Sequence, residues 1–206
     1  MFCLNILLFC TAYKDVRFVM SQNSSLISFP HLETKRLWLR QATQDDVEAV
    51  FAVFSDPKVT QFHDLDTFVY LDEASRIIER RAKGFKSGSG IRWAIVHRQN
   101  NSLIGSCGFT WHDEANAAEV GYELKSEFWR QGIMSEALSA ILQYGFSSRK
   151  IEFVIAQVML KNVASKRLLE KLGFQSLGIL NKHGFWKGKH HDLEQFKLMK
   201  AKFIAM

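Results

Sequence analysis

Between Glu119 and Phe146 the chain passes from an alternating apolar run, Glu119-Val120-Gly121-Tyr122-Glu123-Leu124, through Trp129-Arg130-Gln131-Gly132, into a long stretch. There Met134, Ala137, Leu138, Ile141 and Leu142 recur at helical spacing. A strand that feeds a helix through a glycine-containing loop puts unpaired N–H groups and the positive end of the helix dipole beside the end of a sheet. A pyrophosphate satisfies such donors. Gly132 lets the backbone approach it closely, and Arg130 adds mobile positive charge. The same residues also fit a plain helix start, because lone glycine motifs are common.

The segments around this unit read as one α/β domain. Leu37-Trp38-Leu39-Arg40 alternates as a strand does. Thr43 and Asp46 resemble a capping box, and Val47, Val50, Phe51 and Phe54 follow at helical spacing up to a stop at Pro57. The pattern predicts a second helix from about Leu71 to Phe85, with Ala74, Ile77, Ile78, Ala82 and Phe85 inward, then a loop from Lys86 to Gly90. Strands are expected from Arg92 to His97, Leu103 to Trp111 and Ala118 to Leu124, the first two joined by a turn at Gln99-Asn100-Asn101. A helix is expected from Gln131 to Phe146. The nearly unbroken apolar run from Glu152 to Val158 predicts a strand buried on both faces. Asn162 can cap a helix running to Leu172, with Gly173 just beyond its end and Phe174 folding back. Two last strands, from about Gln175 to Asn181 and from His191 to Met199, form an antiparallel pair. This order describes a mixed sheet with helices on both faces.

The 206 residues suffice for one domain with a sizeable core. No repeat or change of composition marks a second unit, so the domain is expected over residues 32–203, with residues 1–31 as an N-terminal extension. Phe2 to Tyr13 is apolar but shorter than the roughly twenty residues that span a bilayer. It also lacks the positive region and cleavage site of a signal peptide. It reads as a sticky extension, or as the product of an upstream start with Met20 as the true one; Ser21 to Ser25 looks like an ordinary flexible terminus. No membrane partner is expected. Cys3, Cys10 and Cys107 match no zinc or disulfide spacing, which suggests a reducing compartment, the cytoplasm, and no metal. The net charge of +6 attracts phosphates on a cofactor, RNA or a membrane, and by itself selects none of them.

Five segments in order carry a resemblance. They are Leu32-Glu33-Thr34-Lys35-Arg36-Leu37-Trp38-Leu39-Arg40, Ile104-Gly105, the strand from Glu119 to Leu124, Gly132-Ile133-Met134-Ser135-Glu136-Ala137, and Glu170-Lys171-Leu172-Gly173-Phe174. Over about residues 32 to 200 the sequence resembles the GNAT superfamily of N-acetyltransferases, and within it the branch of ribosomal-protein alanine N-acetyltransferases. The resemblance implies the α/β GNAT fold: a mixed, mostly antiparallel central sheet, splayed by a β-bulge at a cofactor cleft. It implies acetyl-CoA as co-substrate, with pantetheine on the backbone from Tyr122 to Leu124. The pyrophosphate would lie on Arg130, Gln131, Gly132, Ile133, Met134 and Ser135, with Asn162 beside the thioester. Two departures stand out. Trp129 and Met134 occupy loop positions where the family has Gln or Arg and Gly or Ala. Leu169 replaces a tyrosine acid found in many members four residues before Gly173.

Acetyl transfer requires an amine to lose a proton, and a carboxylate can accept it directly or through water. Glu119 and Glu123 lie on one face of the strand expected to edge the cofactor. Glu119 is the first choice, because the family often uses an acid early in this strand; a solvated face or a salt bridge is the plainer reading of either residue. Backbone amides could hold the oxyanion. Ser165 could assist the leaving thiolate or could simply cap its helix. His190-His191-Asp192 invites a metal reading, but adjacent strand residues point to opposite faces. His183, Phe185 and Trp186 are expected to shape the acceptor pocket or to form a hydrophobic cap. Some relatives carry an acidic residue near Gly184; this chain has none there.

The expected partners are acetyl-CoA and an amine, either a protein N-terminus or a small molecule, with the chain a monomer or homodimer. Two other functions compete. One is an acyl-CoA-binding sensor without turnover, motivated by Leu169 and the altered loop ends. The other is a basic RNA-binding module built on the Lys-rich end from Lys187 to Lys202. No RNP-like or KH-type motif supports the latter, which argues against nucleic acid.

Overall fold

The computed structural model describes residues 17–19 and 28–205. The readings made for Phe2 to Tyr13, Met20, Ser21 to Ser25, Cys3 and Cys10 lie outside the described residues. Strands β1 (Arg17–Val19), β2 (His31–Glu33) and β3 (Leu37–Arg40) lead to helices α1 (Val47–Phe54), α2 (Pro57–Thr60) and α3 (Leu71–Ser87). Then come β4 (Gly90–His97), β5 (Ser102–His112), β6 (Ala117–Leu124), α4 (Ile133–Ser148), β7 (Phe153–Met159) and α5 (Val163–Lys171). The hairpin β8 (Gln175–Trp186) and β9 (Lys189–Met199) and the short α6 (Lys200–Ile204) complete the described fold. The strand order is β1-β2-β3-β4-β5-β6-β7-β9-β8, antiparallel except for the parallel pair β6–β7. β1 comes from within the segment read as an extension, and it pairs with β2 at the sheet edge.

Local chemistry explains most element ends. Thr43 and Asp46 form the capping box, and Asp46 also receives two hydrogen bonds of 2.7 Å from Arg40. Pro57 ends α1 and also opens α2, where its missing N–H costs nothing. The loop expected from Lys86 to Gly90 shrinks, because α3 runs to Ser87 and β4 starts at Gly90. Asn162 Oδ1 accepts from the Ser165 N–H at 3.1 Å, and the Phe174 N–H closes α5 on the Leu169 carbonyl at 3.0 Å.

Alternation along β4 builds two cores. Ile91, Trp93 and Ile95 face a cluster containing Leu138, Ile141 and Leu142 of α4. Ala94 and Val96 face Val50, Val53 and Phe54 of α1 and Ile77 and Ile78 of α3. Helices therefore cover both faces of the sheet. Ala82 and Phe85 are only half-buried; Phe85 packs on Phe29 with ring centroids 4.7 Å apart.

The feature that positions the site is a parting of strands. β6 and β7 pair only at Ala117–Phe153, Ala118–Val154 and Glu119–Ile155. Beyond Glu119 they diverge, although β6 keeps unbroken register with β5 as far as Leu124. The register shift lies one pair away, where Ile95 and Val96 oppose Gly105 and Leu103 and leave Ile104 as an extra residue in β5. β7 corrects the sequence reading. It is buried on one face only, through Val154, Ala156 and Val158. Gln157 and Met159 on its other face border the cleft left by the parting.

Candidate active site

A cleft of about 620 Å³ opens where β6 and β7 separate. One wall comes from the segment after α2, with Phe62, His63, Asp64 and Leu65, and from Arg80 and Arg81 of α3. The floor includes Arg92 of β4 and Glu119, Gly121 and Tyr122 of β6. Gln157, Asn162, Ser165 and Trp186 close the far side.

The structure separates the two glutamates. Glu119 lines the cleft with its side chain 35 % exposed, and its Oε2 lies 3.6 Å from His112 Nε2. Glu123 is buried, with 2 % side-chain exposure. It accepts hydrogen bonds from Arg81 Nη2 at 3.0 Å, from Arg92 Nη2 and from the Ser106 hydroxyl. His63 Nε2 lies 3.7 Å from it. Burial alone would raise the Glu123 carboxyl, but the charges of Arg92 and Arg81 and the His63 hydrogen bond hold it well below the usual carboxylate range. A carboxylate so held is a poor proton acceptor, which removes the physical ground for expecting Glu123 to serve as base. Burial pulls the Arg81 guanidinium down to about 10. Burial would lower His63, yet hydrogen bonds to Asp64 and Glu123 raise it above the ordinary histidine value.

Ser165 and Tyr122 meet. Their hydroxyl oxygens lie 2.7 Å apart, across the gap between β6 and the first turn of α5. Burial pushes the Tyr122 hydroxyl up to about 12, against the opposing hydrogen bond to Ser165. Leu169 is fully buried in the core, so no hydroxyl replaces the family tyrosine at its own position.

At the expected pyrophosphate loop, Arg130 and Gly132 both have positive φ, +60° and +74°, and Gly132 caps α4. A β-branched residue at Gly132 would be strained. Arg130, Gln131 and Gly132 are exposed, whereas the Ile133 and Met134 side chains point into the core and leave backbone N–H groups at the helix start. Arg36 anchors the loop: Nη1 donates to the Gln131 carbonyl at 2.9 Å, and Nε to Glu136 at 2.7 Å. Trp129 ties the loop to the strand, its indole N–H donating to the Leu124 carbonyl at 2.8 Å. One lone pair of the carbonyl expected to face pantetheine is thus already engaged.

Trp186 borders the cleft and stacks on His191, with centroids 4.3 Å apart. Phe185 is exposed and packs on His190 instead, and His183 reaches Gln157 at 3.3 Å. Among the described residues, no group of three or more His, Cys, Asp or Glu could hold a metal ion, and no helix is long and apolar enough to cross a membrane.

Sequence reasoning missed His63, Arg81 and Arg92. Arg92 carried a signal: it is a charge inside the apolar run Ile91-Arg92-Trp93-Ala94-Ile95-Val96, which demands a buried partner.

The family profile described as acetyltransferase (GNAT) domain matches residues 36–175. The N-acetyltransferase YoaA of Bacillus subtilis (strain 168), itself uncharacterised, is 39 % identical over 175 residues, covering 84 % of this chain and 99 % of YoaA. Among solved structures, RimL, a ribosomal L7/L12 alpha-N-protein acetyltransferase in complex with coenzyme A, superposes with a TM-score of 0.74 at 22 % identity, over 81 % of this chain and 95 % of that one. The microcin C7 self-immunity acetyltransferase MccE, in complex with acetyl-CoA and AMP, also gives 0.74, at 17 % identity over 81 % of this chain and 93 % of that one. With a sheet parted between β6 and β7 and a family match across most of its length, the chain belongs to the GNAT family and is an acetyl-CoA-dependent N-acetyltransferase.

Proposed function

We propose that the cleft transfers the acetyl group to a primary amine, with Glu119 as base and the Tyr122–Ser165 pair as proton donor to the leaving sulfur. One observation carries this reading. A carboxylate and a hydrogen-bonded hydroxyl pair line the same cleft, at the point where β6 and β7 part. Acetyl-CoA supplies the thioester. The chain's residues then have separate tasks. Glu119 accepts the ammonium proton, directly or through water. Free amides beyond the β6–β7 pairing are placed to polarise the thioester carbonyl. Ser165 gives its proton to the sulfur and is resupplied from Tyr122. The second proton that the nitrogen sheds as the amide forms returns to Tyr122 through water, and Glu119 releases the first to solvent, so a high-pKa phenol takes the role that Leu169 cannot. Asn162 holds Ser165 in place through the cap. The first turn of α4 and Arg130 receive the pyrophosphate, for which the helix N-terminus and its dipole are suited.

The acetyltransferase domain is assigned to residues 32–203, in a reducing compartment such as the cytoplasm, where the buried free thiol of Cys107 stays reduced. RimL is named for acting on a protein N-terminus, but at 22 % identity its likeness carries the fold, so the acceptor, a protein N-terminus or a small amine, is to be read from this chain's own cleft. Calorimetry should show acetyl-CoA binding one site per chain. Mass spectrometry should then find an acetylated amine for each CoA released. Binding without turnover on any amine would favour the acyl-CoA sensor instead.

A further inference from the structure

Resting on the acetyltransferase reading, we propose that the acceptor is a small zwitterion, an amine carrying its own carboxylate as a free amino acid does, and that Arg92 recognises the carboxylate. The cleft is electrically divided. At one end stands Glu119. At the other, two guanidiniums share the single carboxylate of Glu123 and leave one positive charge uncompensated. His63 adds no net excess there, because its Nδ1 lies 2.7 Å from Asp64.

The open donor can be located. Arg92 uses Nε on Ser106 and Nη2 on Glu123. Its Nη1 has no hydrogen-bond partner among the described residues and lies over Gly121, only 2.9 Å from where a Cβ would stand. A side chain at residue 121 would crowd this nitrogen, and the glycine leaves room for it against the strand. Gly121 is two residues from Glu119 on the same strand face, a separation of about 7 Å. An α-amino acid bridging the two residues needs a hydrogen bond of about 3 Å at each end of its short ammonium-to-carboxylate span, and the part-exposed Glu119 side chain has the freedom to meet it. An excess of positive charge, to which Arg80 on the same wall adds, and a planar guanidinium suit a carboxylate.

Enclosure favours a small acceptor over a chain. Lys187, at the β8–β9 turn, donates to the Thr60 carbonyl at 2.7 Å, joining the two walls of the cleft. Trp186 borders the cleft beside this strap, and Phe62 does so on the other wall. The enclosed volume must also hold the acetylated arm of the co-substrate.

The test compares protein-forming L-amino acids, their carboxamides, and short peptides beginning with alanine or serine. Acetylation is followed by CoA release, and acceptor binding to the CoA-loaded protein by calorimetry. The best free acid should exceed its amide in kcat/KM by about ten- to a hundredfold, the worth of a charge-assisted hydrogen bond. It should also bind measurably where the amide does not. Arg92→Gln should erase that preference. Because this variant could unfold, the acid–amide comparison on the native protein decides alone. Peptides acetylated as well as the best free acid, or amides equal to acids, would overturn the proposal while leaving the enzyme an acetyltransferase. Acetyl-CoA binding with no amine acetylated would overturn both readings.

Discussion

Replacing Glu123 by glutamine removes one charge and almost no volume. Glutamine would keep one acceptor oxygen but turn an amide NH2 toward a guanidinium, so that donor faces donor. Arg81 and Arg92, with side chains 16 % and 18 % exposed, would lose their shared anion. Removing one partner of a buried ion pair costs about 3–5 kcal/mol. Both guanidiniums border the cleft and regain some hydration there, so the lower end applies, about 3 kcal/mol. A chain of this size should lose about 6–12 °C in Tm, at about 2–4 °C per kcal/mol. The pH dependence follows from two shifts. The depressed Glu123 carboxyl stabilises the fold above its ordinary value of 4.5, and this is lost as pH falls through its folded value. The raised His63 stabilises below its ordinary value of 6.5, and this is lost as pH rises through its folded value. The difference between native protein and Glu123→Gln should therefore be greatest from about pH 4.5 to 6.5 and decline on either side. Urea unfolding followed by circular dichroism across that range reads it directly. Equal midpoints at all pH, together with a collapse of kcat, would refute the reasoning and make Glu123 the base.

Glu119→Gln should lower kcat by about a hundredfold or more with acetyl-CoA affinity unchanged, and the loss should shrink at high pH, where more amine is already neutral. Tyr122→Phe and Ser165→Ala should each slow turnover, and in steady-state kinetics the double variant should lose less than the sum, because the two hydroxyls serve one proton transfer. Gly132→Val should weaken acetyl-CoA binding at least about tenfold in calorimetry, because a β-branched residue resists the +74° φ that shapes the loop.

What was legible in the sequence was local. The capping box at Thr43 and Asp46, the Asn162 cap and the close of α5 at Gly173 are each written within a few adjacent residues, and the structure shows all three. The apolar run of β7 misled for a physical reason. A face that borders a cleft carries apolar side chains much as a core face does, so composition cannot tell Met159 beside the cleft from Val154 in the core. The ion cluster was hidden for another reason. His63, Arg81, Arg92, Ser106 and Glu123 come from five separate segments, and no spacing along the chain links them. The same holds for Tyr122 and Ser165, forty-three positions apart, whose hydroxyls meet only because β6 leaves its neighbour.

That departure has a consequence for how long a molecule lasts. Three residue pairs form the whole β-ladder between β6 and β7, and beyond them Val120 to Leu124 and Ala156 to Met159 form a raw edge in the middle of a sheet. Raw edges invite local opening and pairing with other chains. On the proposed placement, acetyl-CoA lies in this gap as a missing strand would. A ligand at a hundred times its Kd adds about 2.7 kcal/mol to the folded state. The lifetime of the folded chain against proteases should then follow the supply of acetyl-CoA. Molecules made while acetyl-CoA is scarce would spend more of their time open along that seam.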